Sequence, residues 1–544
     1  MQLSIFVSSI LLSAVLGQSD PGYPVKNPSI SYWQIPPHPD VADHQSPKLP
    51  ESADIVIIGS GMSGTSIAWH LLMDDNSTTT PTTKKAPPAP LRIAMLEARQ
   101  ACSGATGRNG GHIRPSSYEE YVDAKKVTTQ DQAAKITKFR AGHVDALLRA
   151  AGRLPTEQAR QAASVRPVDS LDVYFEEAPF AEAVAQWETL RREVPEVGDE
   201  WSVLAGDEAR RVSLMPGAVG ALTGTARVAG AIWGYRFVTN GLKMLLDAYP
   251  ESLSLDTHTT ATSVNALKNS THNFEVTTDR GTILANHVVY ATNSWSPHFV
   301  PVLGNALQGS LLSMSAQLGG AGLPKPGEWP AYHNNVSLPG GRAWSLFLRG
   351  GLDYIVQEPE HGEYMYGGGA GVSFPGEDDR DQYDDSGTPP SVVAAYLNGA
   401  LPTYFGYQNW GAERTDFPAD LHPDIWAGRT KRVWTGVEGF TTDALPLVGP
   451  LAEQFTQRPV KNPAAGQEWV SAGFNGEGMD YAWLSGKGLG QMIRNHMANA
   501  TNEPLFEWFP TAFLPTEARL QKQNGTAARR RDVGRNGRRD LGEL

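Results

Sequence analysis

The sequence predicts an α/β protein. It combines a Rossmann-like nucleotide-binding domain, built from separated segments, with an interleaved α+β domain whose sheet is mainly antiparallel. Three observations carry this. ADIVIIG (53–59) is a short apolar strand that ends in glycine and runs into a helical stretch, MSGTSIAWHLL (62–72). LRIAMLE (91–97) then reads as a second buried parallel strand. Strand-and-turn patterns return much later, at 273–293, 353–369, 432–450 and 468–493, and read as pieces of both sheets.

The chain has 544 residues, room for several domains at roughly 100–200 residues each. Hydrophobic residues make up 40% and charged residues 19%, which suits a large core and excludes global disorder. The net charge of −12 argues against a nucleic-acid partner, because such binding rests on neutralising phosphates. The single cysteine, Cys102, excludes an intrachain disulfide and a zinc site of several thiolates. The histidines show no H-E-x-x-H spacing and G-x-S-x-G does not occur, so no metal site and no serine-hydrolase elbow are expected.

In chain order, residues 3–17 are apolar and uncharged, with Val15 and Gly17 placed for cleavage, and predict a signal peptide. N-x-S/T sequons at Asn76, Asn269, Asn335, Asn499 and Asn524 fit a secreted glycoprotein. No later run reaches 18 apolar residues, so no membrane span is expected. Residues 18–50 read as an extended arm, and 74–90 as a proline-rich surface insertion. Residues 118–151, 180–196 and 237–250 have helical patterns. DYIVQEP (353–359) and EYMYGGG (363–369) form a hairpin pair, and the acidic stretch 374–389 a solvated loop. The nucleotide domain is assigned to 51–118, 228–300 and 432–512, and the second domain to 119–227 and 301–431. Residues 513–544 form a tail, basic and disordered from about 521.

Gly59-Ser60-Gly61-Met62-Ser63-Gly64 is a G-x-G-x-x-G fingerprint between a strand and a helix, the context that makes it informative. Gly59 permits the tight turn, Gly61 lets the backbone approach a pyrophosphate, and Gly64 lets helix and strand pack closely. The helix N-terminus offers free N–H groups and partial positive charge to the phosphates. Glu97, ending the second strand, is placed to accept from ribose hydroxyls and to repel a 2′-phosphate, which disfavours NADP. The 74–90 insertion explains its distance from the fingerprint.

The stretch 102–112 (CSGATGRNGGH) is small and polar. A plain NAD unit has no need of it, whereas a flavin must be enclosed along its ribityl chain and ring by backbone donors. Ser103, Gly104, Ala105, Thr106, Arg108, Asn109, Gly110 and Gly111 are therefore candidate contacts to FAD, with Ala98 just before them.

Here the sequence resembles the D-amino-acid-oxidase-like family of FAD-dependent oxidoreductases, and within it fungal members and gamma-glutamylputrescine-oxidase-like proteins. The resemblance runs over roughly 30–512. It is carried by SYWQIPPHPD (31–40), VVYATNSWSP (288–297), DYIVQEP with GGG (367–369), WTGVEGFTTDALPLVG (434–449) and AGFNGEGMDYAWLSG (472–486), in family order. It implies further FAD contacts at Val264, Ala291 and Thr292, and at Gly473, Gly476, Glu477, Gly478 and Met479. The glycines there permit a turn before a helix starting near Met479, whose N-terminus could favour negative charge on a reduced ring. Two departures stand out. LQGSLLSMSAQ (307–317) replaces a proline-arginine-glycine-glutamine type segment, and Glu477 stands where histidine is frequent, so it receives no proton role. Cys102 lies too early in the chain to match the family's late flavin tether, which favours noncovalent FAD.

The resemblance implies oxidation of an amine or amino acid to an imine, with molecular oxygen as acceptor. A dehydrogenase with another acceptor and a noncatalytic flavin-binding protein are the alternatives. Arg114 and His112, in NGGHIRP, are candidate active-site residues. Tyr354 and Trp434 are candidate walls of the substrate pocket, although core aromatics are common. Arg342 or Arg349 could hold a substrate carboxylate. The expected partner is a small amine or amino acid, with no nucleic acid. The residues leave oligomeric state open.

Overall fold

The structure is a computed structural model that describes residues 20–73, 90–268, 270–332, 337–348, 351–369, 382–418, 421–500 and 506–521. The expected signal peptide, most of the 74–90 insertion, Arg349, residues 374–381, the tail beyond 521 and every sequon asparagine except Asn499 lie outside the described residues.

Two large sheets organise the chain. The first has eight strands. Its centre is Ser52–Ile58, which pairs in parallel with Ile93–Leu96 on one side and Gly281–Tyr290 on the other. The VII run of this strand is buried on both faces, which is why it is continuously apolar rather than alternating. Leu253–Asp256 extends the sheet in parallel beyond Ile93–Leu96. Glu468–Ala472 joins the C-terminal half of Gly281–Tyr290 in parallel, through Val288, Val289 and Tyr290. The Asp279-Arg280-Gly281 turn links an antiparallel pair, Phe274–Thr278 with Gly281–Tyr290, as its sequence predicted.

The helix Met62–Met73 leaves the central strand and packs on the late helix Ala482–Met497. Trp69 meets Trp483 edge to face at 5.3 Å, and Ser66 Oγ donates to the Trp483 carbonyl at 2.6 Å. Gly486 allows this approach, since a Cβ there would lie 2.5 Å from Ser66 Cβ. Residues more than 400 positions apart are thereby fixed side by side, and this brings the late glycine turn to the fingerprint.

The second sheet is mainly antiparallel; its parallel pair is Asp169–Tyr174 with Arg342–Leu348. Gly351–Gln357 and Glu363–Gly367 form the expected hairpin pair. The strand Thr430–Thr441 belongs to this sheet, pairing with Leu307–Leu318 from Leu307↔Thr441 to Gln317↔Thr430. A domain boundary at 432 thus falls inside a strand; the chain returns to the first sheet at Leu447–Leu451. The helical pattern at 118–151 is two helices, Ser117–Val127 and Gln130–Gly152, the second capped by Thr129 Oγ1 on the Gln132 amide at 3.3 Å.

The acidic stretch does not end as a solvated loop. Asp385 is buried, holding Arg99 at 2.8 Å and Arg108 at 3.3 Å. A carboxylate between two buried guanidiniums belongs to the core electrostatics and not to a solvated surface.

Candidate active site

A cavity of about 400 Å3 lies between the two sheets. It is lined at once by Gly59, Ser60, Gly61, Met62 and Ser63, by Glu97 and Ala98, by Gly104, Ala105, Thr106, Asn109, Gly110 and Gly111, by Ala291 and Thr292, and by Gly476, Glu477, Gly478 and Met479. Five sequence segments singled out for a dinucleotide therefore share one space. His112, Arg114 and Tyr354 line it too.

The fingerprint end is built by close contacts. Gly59 has φ +108°, and a Cβ there would stand 2.5 Å from the Ala291 carbonyl oxygen; one on Gly64 would stand 2.0 Å from the Gly59 oxygen. Gly64 accordingly sits behind the cavity and serves helix packing. Glu97 is oriented at both oxygens. Oε2 accepts from Ser60 N at 3.2 Å and Ser60 Oγ at 2.7 Å, and Oε1 from Arg99 N at 3.0 Å. Thr106 Oγ1 accepts from the Met62 amide at 2.9 Å, linking the helix N-terminus to the 102–112 loop. The N-terminal arm closes this end with Gly22, Tyr23 and Pro24, and Tyr23 donates to the Thr262 carbonyl at 3.2 Å.

Two asparagines tie the late turn down, Asn475 to the second sheet and Asn293 to the end of the first-sheet strand Gly281–Tyr290. Asn475 Oδ1 accepts from Thr441 N at 2.8 Å, and Asn293 Oδ1 accepts from Gly473 N at 2.8 Å. The α-helix does not begin near Met479. Gly478–Asp480 is a 3-10 turn and the α-helix starts at Ala482, which itself lines the cavity.

Tyr354 meets His112 edge to face at 5.2 Å, and its hydroxyl donates to Met314 Sδ at 3.0 Å. His112 Nε2 lies 3.0 Å from the Ile355 carbonyl, which fixes the proton on that nitrogen. Burial and the adjacent Arg114 push its imidazole down to about 3, so it is neutral at ordinary pH. The Arg114 fork is fully engaged. Nε and Nη1 donate to Ser170 Oγ and Ser345 Oγ, and Nη2 pairs with Asp172. Arg114 presents a fixed positive charge beside the cavity rather than a free clamp.

Several expected contacts lie elsewhere. Trp434 does not wall the cavity: it is fully buried, and its Nε1 donates to the Arg108 carbonyl at 2.8 Å. Arg108 is buried behind the loop, donating to the Ser103 carbonyl at 2.9 Å and the Thr435 carbonyl at 2.7 Å. Ser103 is buried with it. Gly473 is a hinge at φ +76° behind the lining. Val264 packs in the core with Phe274 and Val276; its chain reaches the cavity earlier, at Thr259, Thr260 and Ala261. Arg342 points away, its Nη1 donating to the Val212 carbonyl at 2.6 Å.

Sequence reasoning missed Arg140, Glu120, Asp480 and Glu438. Arg140 gathers Glu120 at 2.8 Å, Glu477 at 3.0 Å and Asp480 at 3.4 Å, all three of which line the cavity. Burial pushes Asp480 up to about 7. Glu438 also lines the cavity, and burial pushes it up to about 7. A period-two reading of 434–440 could have found it, as a lone acid among Trp434, Gly436 and Phe440.

The residues present fit FAD. Glycines occupy the positions where side chains would fill the cradle, the carboxylate of Glu97 is held in place at the fingerprint, and the space continues to an aromatic wall. A bound flavin supplies two-electron redox chemistry.

A search of curated proteins gives no match to this chain. Among solved structures, glycine oxidase from Geobacillus kaustophilus has the same fold at 16% identity, over 86% of this chain and 99% of that one, with a TM-score of 0.57. L-proline dehydrogenase from P. horikoshii aligns at 18% identity over 86% and 98%, with a TM-score of 0.55. L-amino acid deaminase from Proteus myxofaciens aligns at 15% over 87% and 95%, with a TM-score of 0.57. Residues 54–492 match the DAO family, described as FAD dependent oxidoreductase, and the chain belongs to that family.

Proposed function

We propose that this FAD-dependent oxidoreductase oxidises the C–N bond of a small amine or amino acid to an imine, with molecular oxygen as the acceptor. The observation that carries the reading is the continuity of one cavity from the dinucleotide fingerprint to a wall of Tyr354, Leu312, Leu352 and Phe440. That wall suits the carbon skeleton of a small organic substrate, while neutral His112 and the fully engaged Arg114 hold the polar side rigid. Enclosure favours the uncharged amine, whose lone pair the reaction needs. We place the protein in the secretory route, supported by the apolar run at 3–17 and the exposed sequon asparagine Asn499.

The test uses purified full-length protein. A flavin spectrum that is lost from the pellet on acid precipitation supports noncovalent FAD. Anaerobic bleaching by members of a panel of primary, secondary and amino-acid amines, followed by peroxide when oxygen is admitted, supports the oxidase. Bleaching with dye reduction but no oxygen uptake marks a dehydrogenase. No bleaching across the panel overturns the reading.

A further inference from the structure

Glu438 projects from the strand Thr430–Thr441 into the cavity, on the same face as Phe440. Every other ionised side chain of the lining is engaged: Glu97 by Ser60 and Arg99 N, Arg99 by Asp385, Arg114 by Asp172, and Glu120, Glu477 and Asp480 by Arg140. Glu438 has neither hydrogen bond nor ion pair on its carboxyl among the described residues, though only 9% exposed. A buried acid without a partner is costly to ionise unless a ligand completes it.

We propose that Glu438 is the substrate-recognition residue of this cavity, receiving the cationic nitrogen of an amine whose binding needs no α-carboxylate. This rests on the reading that the chain oxidises a C–N bond. Leu312, Leu352, Tyr354 and Phe440 would hold the alkyl or aryl part. Both guanidiniums of the lining are committed to carboxylates of the protein, so among the described residues the cavity offers an anion for a cation and no free cation for an anion. Glu438 also has a proton to take. An ammonium N–H bond breaks, an O–H bond forms on Glu438, and the amine is left neutral with its lone pair. The raised position of its carboxyl, about 7, brings it toward the range of an amine and makes the exchange cheaper.

Other titratable groups that line this cavity are Tyr354, three strands away in the same sheet, His112 and Arg114, Glu120 on the helix Ser117–Val127, and Glu477 and Asp480 at the late turn, while Arg108 lies beneath Gly436. Asp480 titrates in the same range, so the pH effect of Glu438 is read as a difference between wild type and variant.

The experiment titrates oxidised holoenzyme with n-butyltrimethylammonium, which has no nitrogen lone pair and is not turned over, with 1-hexanol and hexanoate in parallel. Flavin absorbance reports binding. The expected result is tighter binding of the cation than of hexanol or hexanoate, about tenfold weaker at pH 6 than at pH 8. Glu438→Gln should weaken the cation about tenfold or more at pH 8, remove that pH dependence and spare hexanol. Should Glu438→Gln not retain FAD, Glu438→Met is read the same way. Unchanged cation affinity in the variant, or tighter hexanoate than cation in wild type, overturns the proposal. If cation binding depends on Glu438 but no amine bleaches the flavin, the C–N oxidation reading fails and the recognition site stands. If amines bleach the flavin and Glu438→Gln leaves their KM unchanged, the site fails and the oxidation reading stands.

Discussion

Gly110 lies so close against Tyr354 that a Cβ on it would stand 2.2 Å from Cε2 of the ring. The glycine in the 102–112 loop and the tyrosine in the second sheet form one contact. Together they set the width of the cavity where the two domains meet. Gly110→Ala should drive the ring toward the cavity at a cost of ~1–3 kcal/mol. The expected outcome is a loss of kcat/KM of tenfold or more with FAD retained, checked by steady-state kinetics on an amine that bleaches the wild type.

Glu97 lines the cavity and is held by three donors, so its removal loses a cavity carboxylate and the order of the turn. Glu97→Ala should weaken FAD about ten- to a hundredfold, in line with ~1.5–3 kcal/mol for hydrogen bonds to a charged group. Fluorescence titration of apoprotein with FAD measures this. An unchanged affinity would remove Glu97 from the cofactor site.

Arg140 pairs with Glu120, Glu477 and Asp480 from a buried position. Arg140→Met should cost ~3–5 kcal/mol, because the buried acids are left without their cation. Protonation removes their charge, so the deficit should shrink between pH 8 and pH 5. Urea denaturation at both pH values checks the size and the sign.

His143 accepts from the Leu484 amide at Nε2, 3.2 Å away, and its Nδ1 faces the Phe139 carbonyl at 2.9 Å. Burial pushes it down to about 4, below its ordinary 6.5. The unfolded chain therefore binds the proton first, and stability falls as pH drops from about 6.5 toward 4. The loss from this residue at pH 5 is ~2 kcal/mol. Glu438 and Asp480 act in the opposite direction below pH 7, so the observable is the difference between wild type and His143→Gln. The variant should lose less stability than wild type between pH 7 and pH 5 in thermal melts.

Local pattern carried much of the reading. The strand, turn and helix at 52–73 are legible because backbone geometry, apolar burial and glycine placement act over neighbouring residues. The same holds for Glu97, which closes its strand. Trp434 and Arg108 misled because residue type does not say which way a side chain faces. A conjugated aromatic and a cation suit a flavin pocket, yet here each donates to backbone behind it. Val264 misled by three residues, since the point where a strand begins is set by its partner and not by its own composition.

By itself, the sequence determined the nucleotide-binding segment, the small polar loop after it and the late glycine turn, because each depends on φ, side-chain bulk and hydrogen bonding within a few residues. Only the tertiary structure decided that Arg140 gathers three acids, that Arg114 is committed to Asp172, and that Glu438 faces the cavity unpaired. The physical reason is range. Charge pairing and burial are properties of groups brought together by packing from distant parts of the chain, and no local pattern records which partner a charge will meet.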